Sequence, residues 1–275
     1  MNPADIEDLE VDLVLEAIQR RYGYDFRSYA RASIDRRIRQ FVSKMRLERI
    51  SDLISPCLHD EDFFTELAQF FSIAVTEMFR DPFVYRTLRE KVLPLLKSFP
   101  FVKVWHAGCA SGEEVYSLAI LLAEEELLER ATLFGTDFND AVLEGARQGI
   151  YSVERMQDFT RNYQAAGGKR SFSEYYHASY GSAALDASIK DRITFANHNL
   201  TVDQVFGEMH LVFCRNVLIY FNRELQDRAL NLFADSLVRG GFLCLGTKED
   251  IQFSSVAEQF EVVDRKARIY KKKVR

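Results

Sequence analysis

A short glycine-containing loop, "AGCASGEE" (107–114), joins a β-like run to a helix-like run. Such a loop leaves backbone N–H groups free to hold a ligand at the start of the helix. Glu113 and Glu114 lie at that helix start, where their charge would repel a phosphate. The loop also lacks the pattern GxGxxG, which disfavours a dinucleotide. These residues therefore predict a site for a cationic ligand.

Asp137 ends the next β-like run, "LFGTDFND" (133–140), at the position expected of an acceptor for a ribose diol. S-adenosylmethionine suits both features, because it carries an ammonium and a sulfonium and no phosphate. The loop with Gly108, together with Asp137, thus predicts an S-adenosylmethionine site. The alternative is that Gly108 and Gly112 only make a tight turn and that Asp137 caps a helix starting near Asn139.

Two patterns of apolar residues indicate the elements that must hold this site. Residues 10 to about 90 have apolar side chains at intervals of three and four, which predicts an all-helical N-terminal domain. After Phe99–Pro100, short β-rich runs alternate with helices, which is typical of a mainly parallel sheet. The runs are "VKVWHAG", "ATLFGTD", "RITFANHN", "HLVFCRN" and "GGFLCLGT".

The last two runs, "QFEVVD" and "ARIYKKK", are separated by Arg265 and Lys266 only and predict an antiparallel hairpin. The predicted fold is α/β, with a Rossmann-like sheet of the class I methyltransferase kind. We expect a helical domain at 1–88 and a catalytic domain at 89–275. A small β-subdomain is expected to be inserted at about 155–192, with a hairpin turn at Gly181–Ser182.

Composition limits the class of protein. Hydrophobic residues make up 47% of the 275, enough for a packed core. No apolar run approaches the roughly 18 residues of a membrane span, and the acidic N-terminus is unlike a signal peptide, so we expect a soluble, cytoplasmic protein. The four cysteines contain no CxxC pair, so we expect them to be reduced and mostly buried, with neither a metal site nor a disulfide framework.

Three further segments carry a resemblance to a known family. They are "VTEMFRDP" (75–82), "HNL" (198–200) and "FCRNVLIYF" (213–221), in this order around the glycine loop. With them the chain resembles the CheR family of chemoreceptor glutamate O-methyltransferases over nearly its whole length. The segment "CRNVLIYF" is the most specific part, since many methyltransferases share the glycine loop.

The resemblance implies roles for particular residues. It places eight in the cofactor pocket: Thr76, Arg80, Glu113, Asp137, Asn199, Leu200, Arg215 and Asn216. It also implies that Arg80 and Tyr220 are catalytic residues beside the transferred methyl group. The bland alternative is that Arg80 pairs with a surface acid such as Asp81 and that Tyr220 is a core aromatic.

The chain departs from the family pattern at two places. Ala74 stands where the family often has Asn, and "GTKE" (246–249) stands where it has "GHSE" or similar. The first change would remove a hydrogen bond to the cofactor. The second puts Thr247, Lys248 and Glu249 near the rim of the pocket, so both changes bear on substrate preference.

A glutamate substrate would need little acid–base help, because its carboxylate is ionised at neutral pH. Catalysis would then consist of alignment in a dry, weakly polar pocket. In this interpretation Arg80 orients a carboxylate through charge-assisted hydrogen bonds, and the Tyr220 hydroxyl positions the accepting oxygen.

A basic helix is predicted at "RASIDRRIRQFVSKMR" (31–46). Residues 20–49 hold ten Lys or Arg against three acids. We expect Ile34, Ile38, Phe41 and Met45 to form its buried face and Arg31, Arg37 and Lys44 to point outward. The cations could dock on a Glu-rich helical bundle such as the methylation region of a chemoreceptor, or could simply be solvated. Nucleic acid is disfavoured, since no aromatic residues alternate with the cations.

Some members of the family bind a C-terminal pentapeptide tether of the receptor by strand addition to the inserted subdomain. Segment 175–195 is shorter here than in those members, so we expect a tether-independent enzyme that is monomeric and does not insert into membranes. The leading hypothesis is methylation of chemoreceptor glutamates. The alternatives are methylation of another signalling protein, and a non-catalytic module that senses the cofactor or docks to receptors.

Overall fold

A computed structural model describes residues 2–71 and 76–274. The chain forms two compact units, one made of residues 1–73 with 219–228 and the other of residues 74–218 with 229–275. Ala74 lies outside the described residues, so its departure from the family pattern has no structural account. In the described part of the chain, no helix has both the length and the apolar character needed to cross a membrane.

The first unit is helical, as predicted. Its helices are α1 (Pro3–Tyr22), α2 (Arg31–Met45), α3 (Ile54–His59) and α4 (Glu61–Phe71). Asn2 caps α1 by accepting a hydrogen bond from the Asp5 N–H at 2.9 Å, and Gly23 ends it in a left-handed conformation. Val14, Ile18 and Ile38 are fully buried between the helices.

Residues 219–228 complete this unit although they are distant in sequence. Tyr29 and Phe221 form an antiparallel bridge, and their rings pack edge to face with centroids 5.1 Å apart. The Asn222 N–H donates to the Ser28 carbonyl at 2.9 Å. Contacts of this kind join distant parts of the sequence and leave no local sequence signal.

The second unit is an α/β domain with helices α5 to α11. These are α5 (Pro82–Thr87), α6 (Leu93–Leu96), α7 (Glu113–Glu124), α8 (Asp140–Gln148), α9 (Val153–Ala165), α10 (Ala187–Lys190) and α11 (Arg223–Ser236), of which α11 begins in segment 219–228. One π-helical turn, Leu88–Val92, joins α5 to α6.

Ten strands accompany these helices in the described residues. They are β1 (Val102–Ala107), β2 (Ala131–Asp137), β3 (Ile150–Ser152), β4 (Tyr176–Ser179), β5 (Ser182–Leu185), β6 (Ile193–Asn197), β7 (Met209–Cys214), β8 (Leu237–Leu245), β9 (Phe260–Asp264) and β10 (Ile269–Lys272). Seven form the main sheet in the order β6-β2-β1-β7-β8-β10-β9. The first five of these run parallel, and β10 pairs antiparallel with both β8 and β9.

This sheet confirms the predicted class I methyltransferase fold. Each β-rich run named from sequence overlaps a strand of the sheet. The hairpin turn is longer than predicted, because β10 starts only at Ile269: the Ala267 N–H donates to Asp264 Oδ1 at 2.9 Å, and Arg268 is left-handed with a φ of 53°.

The inserted subdomain is a three-stranded antiparallel sheet, β3-β5-β4, with α9 beside it. Its strands begin at Ile150, slightly before the predicted limit of about 155. Tyr180 and Gly181 form the two-residue turn between β4 and β5, and both have positive φ, as such turns require. The predicted hairpin is therefore present, with its turn one residue earlier.

The division of the chain differs from the predicted limit at residue 88. Residues 76–88 belong to the α/β unit, because Val84, Tyr85 and Leu88 are buried in the same core as Val104 on β1. These residues follow the N-terminal helices in sequence, but their apolar side chains pack in the core of the α/β unit.

Candidate functional site

The predicted cofactor residues follow the carboxyl ends of neighbouring parallel strands. Gly108 follows β1, and Asp137 ends β2. The segment "HNL" follows β6, and "CRN" overlaps and follows the end of β7. Since β6, β2, β1 and β7 are adjacent and parallel, these residues share one edge of the sheet, where ligands bind in open α/β folds.

The glycine loop is shaped by close contacts rather than by turn formation alone. Gly108 has a φ of 74°, and a Cβ built on it would lie 2.5 Å from Val217 Cγ2. The N–H groups of Gly108 and Cys109 both donate to the Thr136 carbonyl, at 2.8 and 2.9 Å. A glycine is thus required where the loop passes beside the segment that follows β7.

Asp137 holds this loop by its side chain. Its Oδ2 accepts from the Ala110 N–H at 3.0 Å and its Oδ1 from the Asn139 N–H at 3.1 Å. Burial raises the pKa of Asp137, against the opposing effect of these backbone donors. The cap of α8 is Asn139, whose side chain accepts from Ala141, so the alternative assignment of that cap to Asp137 is wrong. Each carboxylate oxygen keeps acceptor capacity for a diol.

Glu113 is fully buried at the start of α7. Its Oε1 accepts from Arg155 Nη1 at 2.9 Å and its Oε2 from the Ser111 hydroxyl at 2.7 Å. Arg155 also donates to the Thr76 carbonyl. Burial raises the pKa of Glu113, while Ser111 and Arg155 oppose that shift. Sequence reasoning missed Arg155, which lies on α9 of the insertion and brings two predicted pocket residues together.

Arg80 lies in a backbone segment of unusual conformation. Phe79 and Asp81 on either side of it are left-handed, with φ of 53° and 54°. Such residues are costly unless the surroundings hold them, and they concentrate at functional sites. The Phe79 N–H is held by the Ser117 hydroxyl on α7 at 2.9 Å.

Arg215 holds the same segment from the other side. Its Nη2 donates to Asp81 Oδ2 at 2.7 Å, and its Nη1 donates to Glu114 Oε2 at 2.8 Å and to the Arg80 carbonyl at 3.2 Å. Burial alone lowers the pKa of Arg215, but the nearby acidic groups, Glu114 first among them and Asp81 included, together raise it. Asp81 thus pairs with Arg215, and Arg215 acts here by fixing the backbone around Arg80.

Asn216 is left-handed, with a φ of 61°, and is held by Glu249 of the "GTKE" segment. Glu249 is buried and accepts from three N–H groups, those of Asn216 at 3.1 Å, Val217 at 2.9 Å and Gly246 at 2.6 Å. The role of this acid, open at the level of sequence, is to join the loops that follow β7 and β8.

Asn199 organises the turn after β6. Its side-chain oxygen accepts from both the N–H and the hydroxyl of Thr201, at 3.0 and 2.8 Å, and its own N–H donates to Asp203 at 2.8 Å. The next residue, Leu200, is buried. This turn supplies an apolar wall at the same sheet edge.

Tyr220, the second predicted catalytic residue, belongs to the helical unit. Its carbonyl accepts from the Ala30 N–H at 2.7 Å. The Arg37 guanidinium lies over its ring, with Cζ 5.0 Å from the centroid. The prediction that Arg37 points outward is therefore wrong. Position 37 is three residues after Ile34 and four before Phe41, which places it on the buried face of α2.

The other cations named on α2 lie outward but are compensated. Arg31 pairs with Asp12 and, at 3.4 Å, with Asp8. Lys44 pairs with Glu66 at 2.7 Å. Acids of α1 and α4 thus neutralise much of the positive charge predicted for this face.

All four cysteines are buried, as expected. The strand-end loops fit a nucleoside sulfonium. They contain Gly108, where a Cβ would clash with Val217, and two buried acids, Glu113 at the start of α7 and Asp137 at the end of β2. Both acids favour a cation and a diol over a phosphate.

Known proteins resemble this chain in sequence over most of its length. The chain is 51% identical over 265 residues to the "Putative methyltransferase Cher3" of Pseudomonas putida, covering 96% of this chain and 97% of that one. It is 30% identical to the "Chemotaxis protein methyltransferase" of Listeria innocua, covering 90% and 92%. A solved magnesium protoporphyrin IX methyltransferase from Synechocystis with bound SAH covers 68% of this chain and 67% of its own, at 18% identity and a TM-score of 0.32, too slight a likeness for any argument.

Two family models divide the chain between them. "CheR methyltransferase, all-alpha domain" matches residues 9–72, and "CheR methyltransferase, SAM binding domain" matches residues 74–269. S-adenosylmethionine is therefore the cofactor, and the α/β unit is the part of the chain that holds it. The protein belongs to the CheR family of methyltransferases.

Proposed function

We propose that the protein transfers the methyl group of S-adenosylmethionine to glutamate side chains in the cytoplasmic helical region of a chemoreceptor. The observation that supports this proposal is the arrangement of the loops at the carboxyl ends of the parallel strands. There, buried Glu113 and Asp137 flank the glycine loop, and Arg215 fixes the backbone around Arg80. The name of the Listeria relative, a chemotaxis protein methyltransferase, supports the choice of substrate class.

The proposed reaction requires the glutamate oxygen, the methyl carbon and the sulfur to be aligned, and it does not require a general base. The cofactor supplies a methyl group on a sulfonium. With the cofactor bound, the glutamate oxygen would bond to that methyl carbon as the sulfur–carbon bond breaks, so an ester and a neutral thioether would result. His198, which lies in these loops, is already engaged with the Gln204 carbonyl at 3.0 Å. A substrate that is already ionised suits a site of this kind.

In this proposal Arg80 orients a carboxylate and the Tyr220 hydroxyl positions the accepting oxygen. Arg80→Ala and Tyr220→Phe should each lower kcat by about a hundredfold or more while the fold is kept. Matched controls are Arg86→Ala and Tyr180→Phe, since both side chains are exposed. Near-normal turnover by both site variants would reject these roles.

The substrate is tested with labelled cofactor and a panel of purified receptor cytoplasmic domains and other signalling proteins. The expected result is label on a receptor domain that base releases as methanol, because a carboxyl ester is labile to base. Base-stable label, or label on another signalling protein only, would contradict the proposal.

We further propose that α2 and the turn after it dock on the acidic receptor bundle through cations that lie outward. Arg36 and Arg46 are exposed, and within the described residues no carboxylate lies within 4.0 Å of either. Charge of this kind acts chiefly on the association rate. Arg36→Glu with Arg46→Glu should raise KM for the receptor and weaken its dependence on salt, whereas an unchanged salt dependence would exclude this surface.

We also propose that docking is independent of a C-terminal tether. The β4–β5 turn has only two residues, Tyr180 and Gly181, which leaves little loop to hold a peptide. Titration of the protein with a receptor C-terminal pentapeptide should show no binding at micromolar concentration. Micromolar binding would contradict the proposal.

A further inference from the structure

Arg37 is a buried cation inside the helical unit. Its exposed fraction is 5%, although it belongs to a helix whose other arginines are exposed. Its Nη1 donates to the Phe71 carbonyl at the end of α4. Its guanidinium carbon lies 5.0 Å from the centroid of the Tyr220 ring, a cation–π distance.

Burying the charged side chain of Arg37 costs free energy of desolvation, and the need to fill space in the core does not explain why a cation is present there. Among the described residues no carboxylate lies within 4.0 Å of Arg37, whereas Arg31 on the same helix pairs with acids. Its Nη2 is buried and has no hydrogen-bond acceptor in the described part of the chain. A leucine or methionine would fill the position without that cost. Burial accordingly lowers the pKa of Arg37, a shift that the nearby Tyr220 opposes.

The backbone around Tyr220 is held by other groups. The Ala30 N–H donates to the Tyr220 carbonyl at 2.7 Å, and the Asn222 N–H donates to Ser28. Phe221 is fixed against Tyr29. These contacts fix the main chain, so Arg37 is left to act on the orientation of the Tyr220 ring.

We propose that Arg37 is a positioning residue, which holds the Tyr220 ring in the orientation needed for methyl transfer. The inference rests on the proposed role of Tyr220 in that reaction. This role is separate from the docking surface. Arg37 is buried and contacts the face of the Tyr220 ring, whereas the docking cations Arg36 and Arg46 are exposed.

The first test follows the ring without using activity. The full chain is labelled with 3-fluorotyrosine, and the Tyr220 resonance is assigned by its loss in Tyr220→Phe. Arg37→Met should shift and broaden that resonance, and Arg37→Lys should shift it less because it keeps a cation. Arg20→Met, which removes an exposed arginine of α1, is the control and should leave it unchanged. An unmoved Tyr220 resonance in Arg37→Met would overturn the inference.

The second test separates positioning from docking. Arg37→Met should lower kcat about five- to thirtyfold, the range that an interaction of this kind supports, with KM for the receptor and cofactor affinity within about twofold of wild type. In a Tyr220→Ala background the same change should have no further effect on kcat. A change in KM alone, or full additivity with Tyr220→Ala, would overturn the inference.

The two tests also distinguish this inference from the proposed function. If the wild-type protein methylates no receptor, the proposed function fails. The fluorine resonance then still decides whether Arg37 holds the ring.

Discussion

At the scale of the residue, Gly108 has no room for a side chain. A Cβ would lie 2.5 Å from Val217 Cγ2, and the φ of 74° is itself unfavourable for any other residue. Gly108→Ala should therefore lower the free energy of unfolding by about 1–3 kcal/mol and weaken cofactor binding at least tenfold. Urea unfolding and calorimetry with S-adenosylhomocysteine measure the two effects.

Gly145 is the matched control for this change. It lies within α8, and a Cβ added there would meet no atom within 4 Å, so Gly145→Ala should be neutral or stabilise by up to about 1 kcal/mol. Unchanged cofactor affinity in Gly108→Ala would show that the shape of the loop does not matter for binding.

Glu249 joins two loops through three backbone donors on the segments that follow β7 and β8. Glu249→Gln replaces an accepting oxygen by an NH₂ group, which faces N–H groups and repels them. We expect a loss of about 2 kcal/mol in the free energy of unfolding and weaker cofactor binding. The exposed Glu258→Gln is the control in the same assays, and equal stability of the two variants would contradict this role.

At the scale of the element, Glu124 joins the end of α7 to the insertion. Its Oε1 accepts from the Tyr163 hydroxyl, from the Lys169 N–H at 2.8 Å and from the Tyr175 hydroxyl at 3.1 Å, and its Oε2 accepts from Arg89 at 2.6 Å. Burial alone would raise the pKa of Glu124, but the hydrogen bonds from Tyr163, Arg89 and the Lys169 N–H, together with the charge of Arg89, lower it below its ordinary value of 4.5.

A lowered pKa fixes the sign of the pH dependence. The ionised Glu124 stabilises the fold above pH 4.5, and this contribution is lost as the pH falls through its folded-state pKa. Glu124→Gln should cost about 3 kcal/mol at pH 7, and the difference from wild type should shrink in acid. Urea unfolding across this pH range measures it, with exposed Glu129→Gln as control. A difference that is constant with pH would contradict the assignment.

Strands were predictable from sequence because alternation of β-rich and helical runs is a local signal. The run "ATLFGTD" coincides with β2, and the acid that ends it lies where the prediction placed it. Arg37 shows the opposite case. Its charge suggested an outward position, but its spacing from Ile34 and Phe41 put it on the buried face, and a ring from residue 220 accommodates it there.

Other parts of the site depend on contacts that no local pattern records. Arg155 donates to Glu113, which lies 42 residues earlier in the sequence, and Arg215 donates to Asp81, which lies 134 residues earlier. The family resemblance directed attention to these segments. It did not indicate which of their side chains fix the backbone, because that depends on packing in three dimensions.

At the scale of the whole molecule, the helical unit is incomplete without residues 219–228. Phe221 and Leu225 are buried, with exposed fractions of 5% and 4%. Residues 2–71 alone should therefore unfold at lower urea concentration than the same residues joined by a flexible linker to 217–230. Circular dichroism during urea titration compares the two. Equal midpoints would show that the late segment adds nothing to the stability of the helices.

The late position of this segment also bears on synthesis at the ribosome. The four N-terminal helices are made first, yet the stretch that covers their apolar surface and carries Tyr220 is translated about 150 residues later. At roughly 5–20 residues per second, that surface stays uncovered for roughly 8–30 seconds. A nascent chain in that interval is a natural client for chaperones, and the tyrosine reaches its place only when most of the protein has been built.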